Sequence, residues 1–144
     1  MIENDTIKLL RECDAGVKMG ISSISEVIDR VSSDDFKNLL NENKLQHEKL
    51  ENEIQERLIE FGDDGKDPNI MAKSMSWLKT NVMIGIDNSD KTIADLLTDG
   101  CNMGVKSLNS YLNEYKAADE FTKDITKRLI NLEERLTVDI RDYL

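Results

Sequence analysis

From Leu9 onward, apolar side chains recur at steps of three and four: Leu9, Cys13, Val17, Ile21, Ile24, Ile28 and Val31. Such steps keep side chains on one face of an α-helix, whereas a half-buried strand alternates every second residue. The pattern predicts a helix over residues 5–31. The stretch SSDD follows, with serines suited to an N-cap and acids suited to the positive end of a helix dipole. A second helix is predicted over 35–61, with Phe36, Leu39, Leu40, Leu50, Ile54, Leu58 and Phe61 on one face and Gly62 as its stop. A third, over 90–115, aligns Ile93, Leu97, Cys101, Gly104, Leu108, Tyr111, Leu112 and Tyr115. A fourth, over 118–143, aligns Phe121, Ile125, Leu129, Leu132, Leu136, Ile140 and Tyr143.

The connections fix how these helices join. The first and second are too close in sequence to be anything but an antiparallel hairpin, and so are the third and fourth. Between the hairpins lies a long stretch, and one of that length in a small domain is expected to carry structure of its own. Asp67-Pro68 reads as an N-cap followed by proline at the first helical position. Met71, Met75, Leu78 and Val82 then repeat at helical spacing, which predicts a shorter crossover helix over 68–83. The order is hairpin (5–62), crossover (63–89), hairpin (90–144), within one domain spanning 1–144. One long crossover makes the second and third helices parallel, so the expected fold is an all-α, ferritin-like four-helix bundle.

Two hexapeptides nearly match, CDAGVK at 13–18 and CNMGVK at 101–106. They occupy corresponding places in the two hairpins, as an internal duplication would leave them. Cys13 and Cys101 fall on apolar faces, where a thiol behaves as a small hydrophobe. Gly16 and Gly104 each cost about 1 kcal/mol of helix propensity relative to Ala and so need a packing reason. With Gly20 they form a strip of small residues, expected to let the first and third helices approach closely.

The stretches ECDAGVKMG, KDPNIMAKSMSWLKTN and IADLLTDGCNMGVKSLNSYLNEYKAADE together resemble uncharacterised bacterial ferritin-like proteins, over nearly the whole chain. The resemblance implies the fold and carries no reaction with it.

Charge narrows the functional classes. The 144 residues carry a formal net charge of −10, with no basic stripe. A nucleic-acid backbone or an anionic lipid surface needs a basic footprint, so neither is an expected partner. The opening residues MIENDTIKLL are acidic where a signal peptide is basic, and no run approaches the ~18 apolar residues of a membrane span. A cytoplasmic location is expected, and with it free thiols at Cys13 and Cys101.

A carboxylate-bridged di-metal centre is the chemistry this fold invites. It needs a Glu from each of two helices and a Glu-x-x-His from each of the others. The chain has one histidine, His47, and the residue three before it is Lys44. A reduced site would combine His47 and Glu51, four apart on one helix, with Asp14 and Glu133, and would take iron, manganese or zinc. Asp14 and Glu133 lie at face edges, about 75° from the centre at about 100° per residue. The plainer reading makes His47 a buried polar residue that fixes register, with Asp14 a candidate partner.

Lys18 and Lys106 close the hexapeptides but point away from the apolar faces, and Asp14–Lys18 is an ordinary i,i+4 pair. Phosphate-binding loops, dinucleotide fingerprints and nucleophile elbows do not occur in the sequence. No catalytic residue or cofactor is therefore assigned. Met71, Met75 and Trp77 of the crossover form a candidate partner surface. The leading expectation is a non-enzymatic bundle acting through protein contacts, including a homodimer. The alternatives are a divergent metal or redox protein around His47 and a small-ligand binder in the bundle interior.

Overall fold

In a computed structural model of the chain, residues 2–63 and 89–144 are described. They form four long helices: α1 (Ile2–Val27), α2 (Asp34–Glu60), α3 (Asp90–Glu114) and α4 (Glu120–Asp139). A 3₁₀ turn, Ile28–Arg30, ends α1, and another, Arg141–Tyr143, follows α4. The predicted crossover helix, and with it Met71, Met75 and Trp77, lies outside the described residues.

The helix ends follow the sequence signals. Ser33 caps α2 by accepting from the Phe36 amide at 3.2 Å, and Ser89 caps α3 through Thr92 at 3.3 Å. Asp119 caps α4 through the Thr122 amide at 2.8 Å. Gly62 adopts φ +68°, the left-handed conformation that glycine takes without strain. It donates to the Ile59 carbonyl while Asp63 donates to that of Leu58, which closes α2 in a Schellman motif.

α1 packs along α2, and α3 along α4, as two antiparallel hairpins. Each hairpin loop is held by the other hairpin. The Asp90 carboxylate, at the start of α3, accepts from the Ser32 and Ser33 amides at 2.8 and 3.0 Å. At the far end, Asp5 accepts from the Ala117 amide and Thr6 Oγ1 from that of Asp119. Arg57 donates to Asp119 at 2.6 Å there, with its guanidinium over the rings of Phe61 and Phe121. The starts of α2 and α3 therefore share one end of the bundle, and the end of α2 lies at the other. The two helices are parallel, as a single long crossover requires.

The core divides into two apolar clusters. One gathers Ile24, Val27, Phe36, Leu40, Ile93, Leu97, Leu136 and Ile140. The other gathers Leu10, Val17, Leu50, Ile54, Leu58, Leu108, Ile125 and Leu129. Phe121, expected on the seam of α4, is instead 45% exposed, because Thr122 and Ile125 take the inward positions of that turn.

Candidate functional site

A polar layer separates the two clusters. It takes one residue from each helix: Gly20 of α1, His47 of α2, Gly104 of α3 and Glu133 of α4. The stagger of α1 against α4 places them at one level. Thr6 meets Asp119, and Cys13 meets Thr126 at 3.1 Å, each pair 113 positions apart. Gly16 meets Leu129 with the same stagger, so Gly20 lies level with Glu133. The imidazole of His47 lies against Gly20, and the carboxyl of Glu133 against Gly104.

The two glycines are there to admit those side chains. A Cβ on Gly20 would sit 2.6 Å from His47 Nε2, far inside contact distance. One on Gly104 would run into the Glu133 carboxyl. α1 and α3 do touch, but Gly16, Gly20 and Gly104, expected to let them approach, face side chains of α2 and α4. Between α1 and α3 lies a cavity of about 430 Å³, partly open to solvent, lined by the same glycines together with Cys101 and leucines, with exposed Gly100, Met103 and Ser107 at its mouth. Gly16 makes only an ordinary contact, 3.6 Å to Leu129 Cδ2. Cys13 lies against Thr126 of α4.

Among the described residues, two polar atoms of the cavity wall have no hydrogen-bond partner: His47 Nε2 and Glu133 Oε2. His47 is 1% exposed and Glu133 7%. His47 Nδ1 lies 3.0 Å from the Asn43 carbonyl. A carbonyl only accepts, so Nδ1 carries the proton and Nε2 offers a lone pair. Burial lowers the pKa of this imidazole and keeps it neutral, although the Asn43 carbonyl opposes the shift. Burial pushes the Glu133 carboxyl up to about 8, so at neutral pH it is mostly protonated. Cys101 is raised as well, by burial first and by the nearby Glu133 second. Both cysteines are free and buried.

The other two candidate ligands lie in a separate cluster between α1 and α2. Asp14, expected at a face edge, is fully buried. It accepts from Lys18 Nζ at 2.9 Å and from Gln55 Nε2 at 2.7 Å. Gln55 also donates to Glu51 at 2.8 Å. Burial, and next the adjoining Asp14, push Glu51 up to about 8. His47 takes the carbonyl of its own helix, so the expected His47–Asp14 register pair is replaced by two polar groups, one around each residue. Gln55, which ties Asp14 to Glu51, was not anticipated, although its spacing of four from Glu51 was visible. The expected tetrad of His47, Glu51, Asp14 and Glu133 is thus split in two. Among the described residues no group of three or more His, Cys, Asp or Glu side chains is placed to hold a metal ion. The di-metal arrangement does not fit these residues.

Two hairpins joined so that α2 and α3 run parallel define a ferritin-like four-helix bundle. Among solved structures, the crystal structure of Dps92 from Deinococcus radiodurans is similar in fold. It matches with a TM-score of 0.77 over 99% of this chain and 87% of that one, at 10% identity. No family model and no curated sequence matches the chain, so of the expected resemblance the ferritin-like fold is what the comparisons support. Among the described residues no helix is long and apolar enough to cross a membrane.

Proposed function

We propose that the chain binds a small, mostly apolar molecule in the cavity between α1 and α3. Of the three expected roles, this one has the geometry behind it. The observation that carries it is the pair of buried polar atoms without a partner among the described residues, His47 Nε2 and Glu133 Oε2, on a mostly apolar wall. A buried polar atom without a partner costs about 1–3 kcal/mol, and a ligand that supplies the partner recovers that cost. The volume of about 430 Å³ lies within the range of small-molecule sites.

Gly100 gives the test. It lines the cavity, and nothing lies within 4 Å of where its Cβ would be. Gly100 is exposed at the cavity mouth, so Gly100→Leu should narrow the entrance without disturbing the fold. Phenethyl alcohol and phenethylamine, followed by amide NMR, are the probes. At least one should shift the Gly16, Gly20 and Gly104 resonances in the native chain, and neither should in Gly100→Leu. Binding of both probes unaltered by Gly100→Leu would place the site elsewhere, and no binding to the native chain would end the proposal.

A further inference from the structure

The ligand class follows from what surrounds the two partnerless atoms. His47 Nε2 accepts and cannot donate, because its proton sits on Nδ1. Among the described residues, the side chains lining the cavity that can carry charge are acidic or neutral. α1 supplies Glu12, α2 supplies His47, α3 supplies Cys101 and Tyr111, and α4 supplies Glu133. None of the described lining residues is Lys or Arg. Among the described residues an anionic ligand would meet two carboxyl groups and no cation. A neutral alcohol would donate to His47 and accept from the protonated carboxyl, but by neutral hydrogen bonds alone, whereas an ammonium gains an ion pair once the Glu133 proton leaves. A cation with N–H donors suits both groups.

We propose, building on the cavity-binding reading, that the ligand is an apolar amine whose ammonium group donates to His47 Nε2 and to the Glu133 carboxylate, with its hydrocarbon body against the leucines of α3. The level shared by His47 and Glu133, set by the α1–α4 stagger, brings both acceptors to one cross-section of the cavity. Gly20 and Gly104, lacking side chains, let the imidazole and the carboxyl reach this level of the cavity wall. Glu133 is protonated while the cavity is unliganded, and burial is the reason. As the ammonium enters, that proton leaves to solvent and the carboxylate pairs with the incoming charge. Charge inside the cavity stays balanced: one carboxylate against one ammonium, with His47 neutral throughout. Binding to the protonated form therefore releases close to one proton per amine at neutral pH. Release falls off as the solution passes about pH 8, where Glu133 is already ionised in the unliganded protein.

Three probes share one hydrocarbon frame and differ in the head group: phenethylamine, phenethyl alcohol and phenylacetate. Titration calorimetry on the full chain at neutral pH should find the amine about tenfold tighter than the alcohol, and phenylacetate weakest; tenfold corresponds to about 1.4 kcal/mol. Repeating the amine titration in two buffers of different ionisation enthalpy should show proton release near one, against none for the alcohol. Glu133→Gln, checked for helix content, should remove the amine's advantage over the alcohol and abolish the proton release. Should that variant fail to fold, proton release in the native chain still decides. An amine and an alcohol of equal affinity, or amine binding without proton release, would overturn the amine assignment and leave the cavity reading standing. Absence of binding by all three would remove both.

Discussion

Each glycine of the hexapeptide region has a different environment, and alanine substitution separates them. At Gly20 an added methyl group meets His47 Nε2 at 2.6 Å, and the ring is anchored through Nδ1 to its own helix. Gly20→Ala should therefore destabilise the fold by about 1–3 kcal/mol, since overpacking forces a rotamer or backbone shift. At Gly104 the obstacle is the end of the Glu133 side chain, which can swing, so Gly104→Ala should cost less than Gly20→Ala. At Gly16 the contact is ordinary, and at Gly100 nothing is near. There the gain in helix propensity, up to about 1 kcal/mol, should dominate and raise stability. Urea denaturation of the four variants checks the order. Gly20→Ala as stable as Gly16→Ala would contradict the His47 contact. The sequence showed that these glycines needed a reason, and suggested helix–helix approach. It hid the real one, because no local pattern ties Gly20 to His47 or Gly104 to Glu133 across helices.

At the scale of elements, the hairpins were legible because each signal was local. Periodicity set the helices, and the serines before α2 and Gly62 after it marked two of their ends. The contacts that clasp one hairpin to the other were not legible, since Asp90 and Ser32 are 58 positions apart. Asp90 opens α3, yet its carboxylate accepts from two amides of the α1–α2 loop. Asp90→Ala removes both acceptors and leaves two amides to find water. The expected loss is about 1–3 kcal/mol, with faster amide exchange at Ser32 and Ser33. Asp90→Asn, which keeps one acceptor oxygen, should recover part of it. Exchange at these two amides unaffected by Asp90→Ala would show that the loop holds itself. Asp14 teaches the same lesson about distance. Angular placement on α1 alone put it at an edge, but the flank of α2 carrying Glu51 and Gln55 closes over it.

For the whole molecule, the buried carboxyls set how stability depends on pH. Glu133 and Glu51 have an ordinary value of 4.5 and titrate near 8 in the folded chain. Between those values the unfolded chain has lost these protons and the folded chain keeps them. The unfolded state therefore binds fewer protons, and stability falls as pH rises. The contribution is complete below about pH 4.5 and is lost once pH passes about 8. Each fully shifted group contributes a slope of up to about 1.4 kcal/mol per pH unit. Glu133 should approach that limit, and the half-buried Glu51 should fall short of it, because solvent screens its charge. The net charge of −10 acts in the same direction, since self-repulsion grows as the last carboxyls ionise. Denaturant unfolding at a series of pH values should thus find the chain more stable near pH 5.5 than near pH 8, within the window that the two shifted groups define. Glu133→Gln preserves the shape of the protonated acid and cannot ionise, so it should flatten the slope and gain most at the alkaline end. Glu51→Gln should flatten it less. A native chain whose stability is level or rising across this window would mean that the two carboxyls are ionised in the fold, and the polar layer between the two cores would then have to hold its charge by other contacts.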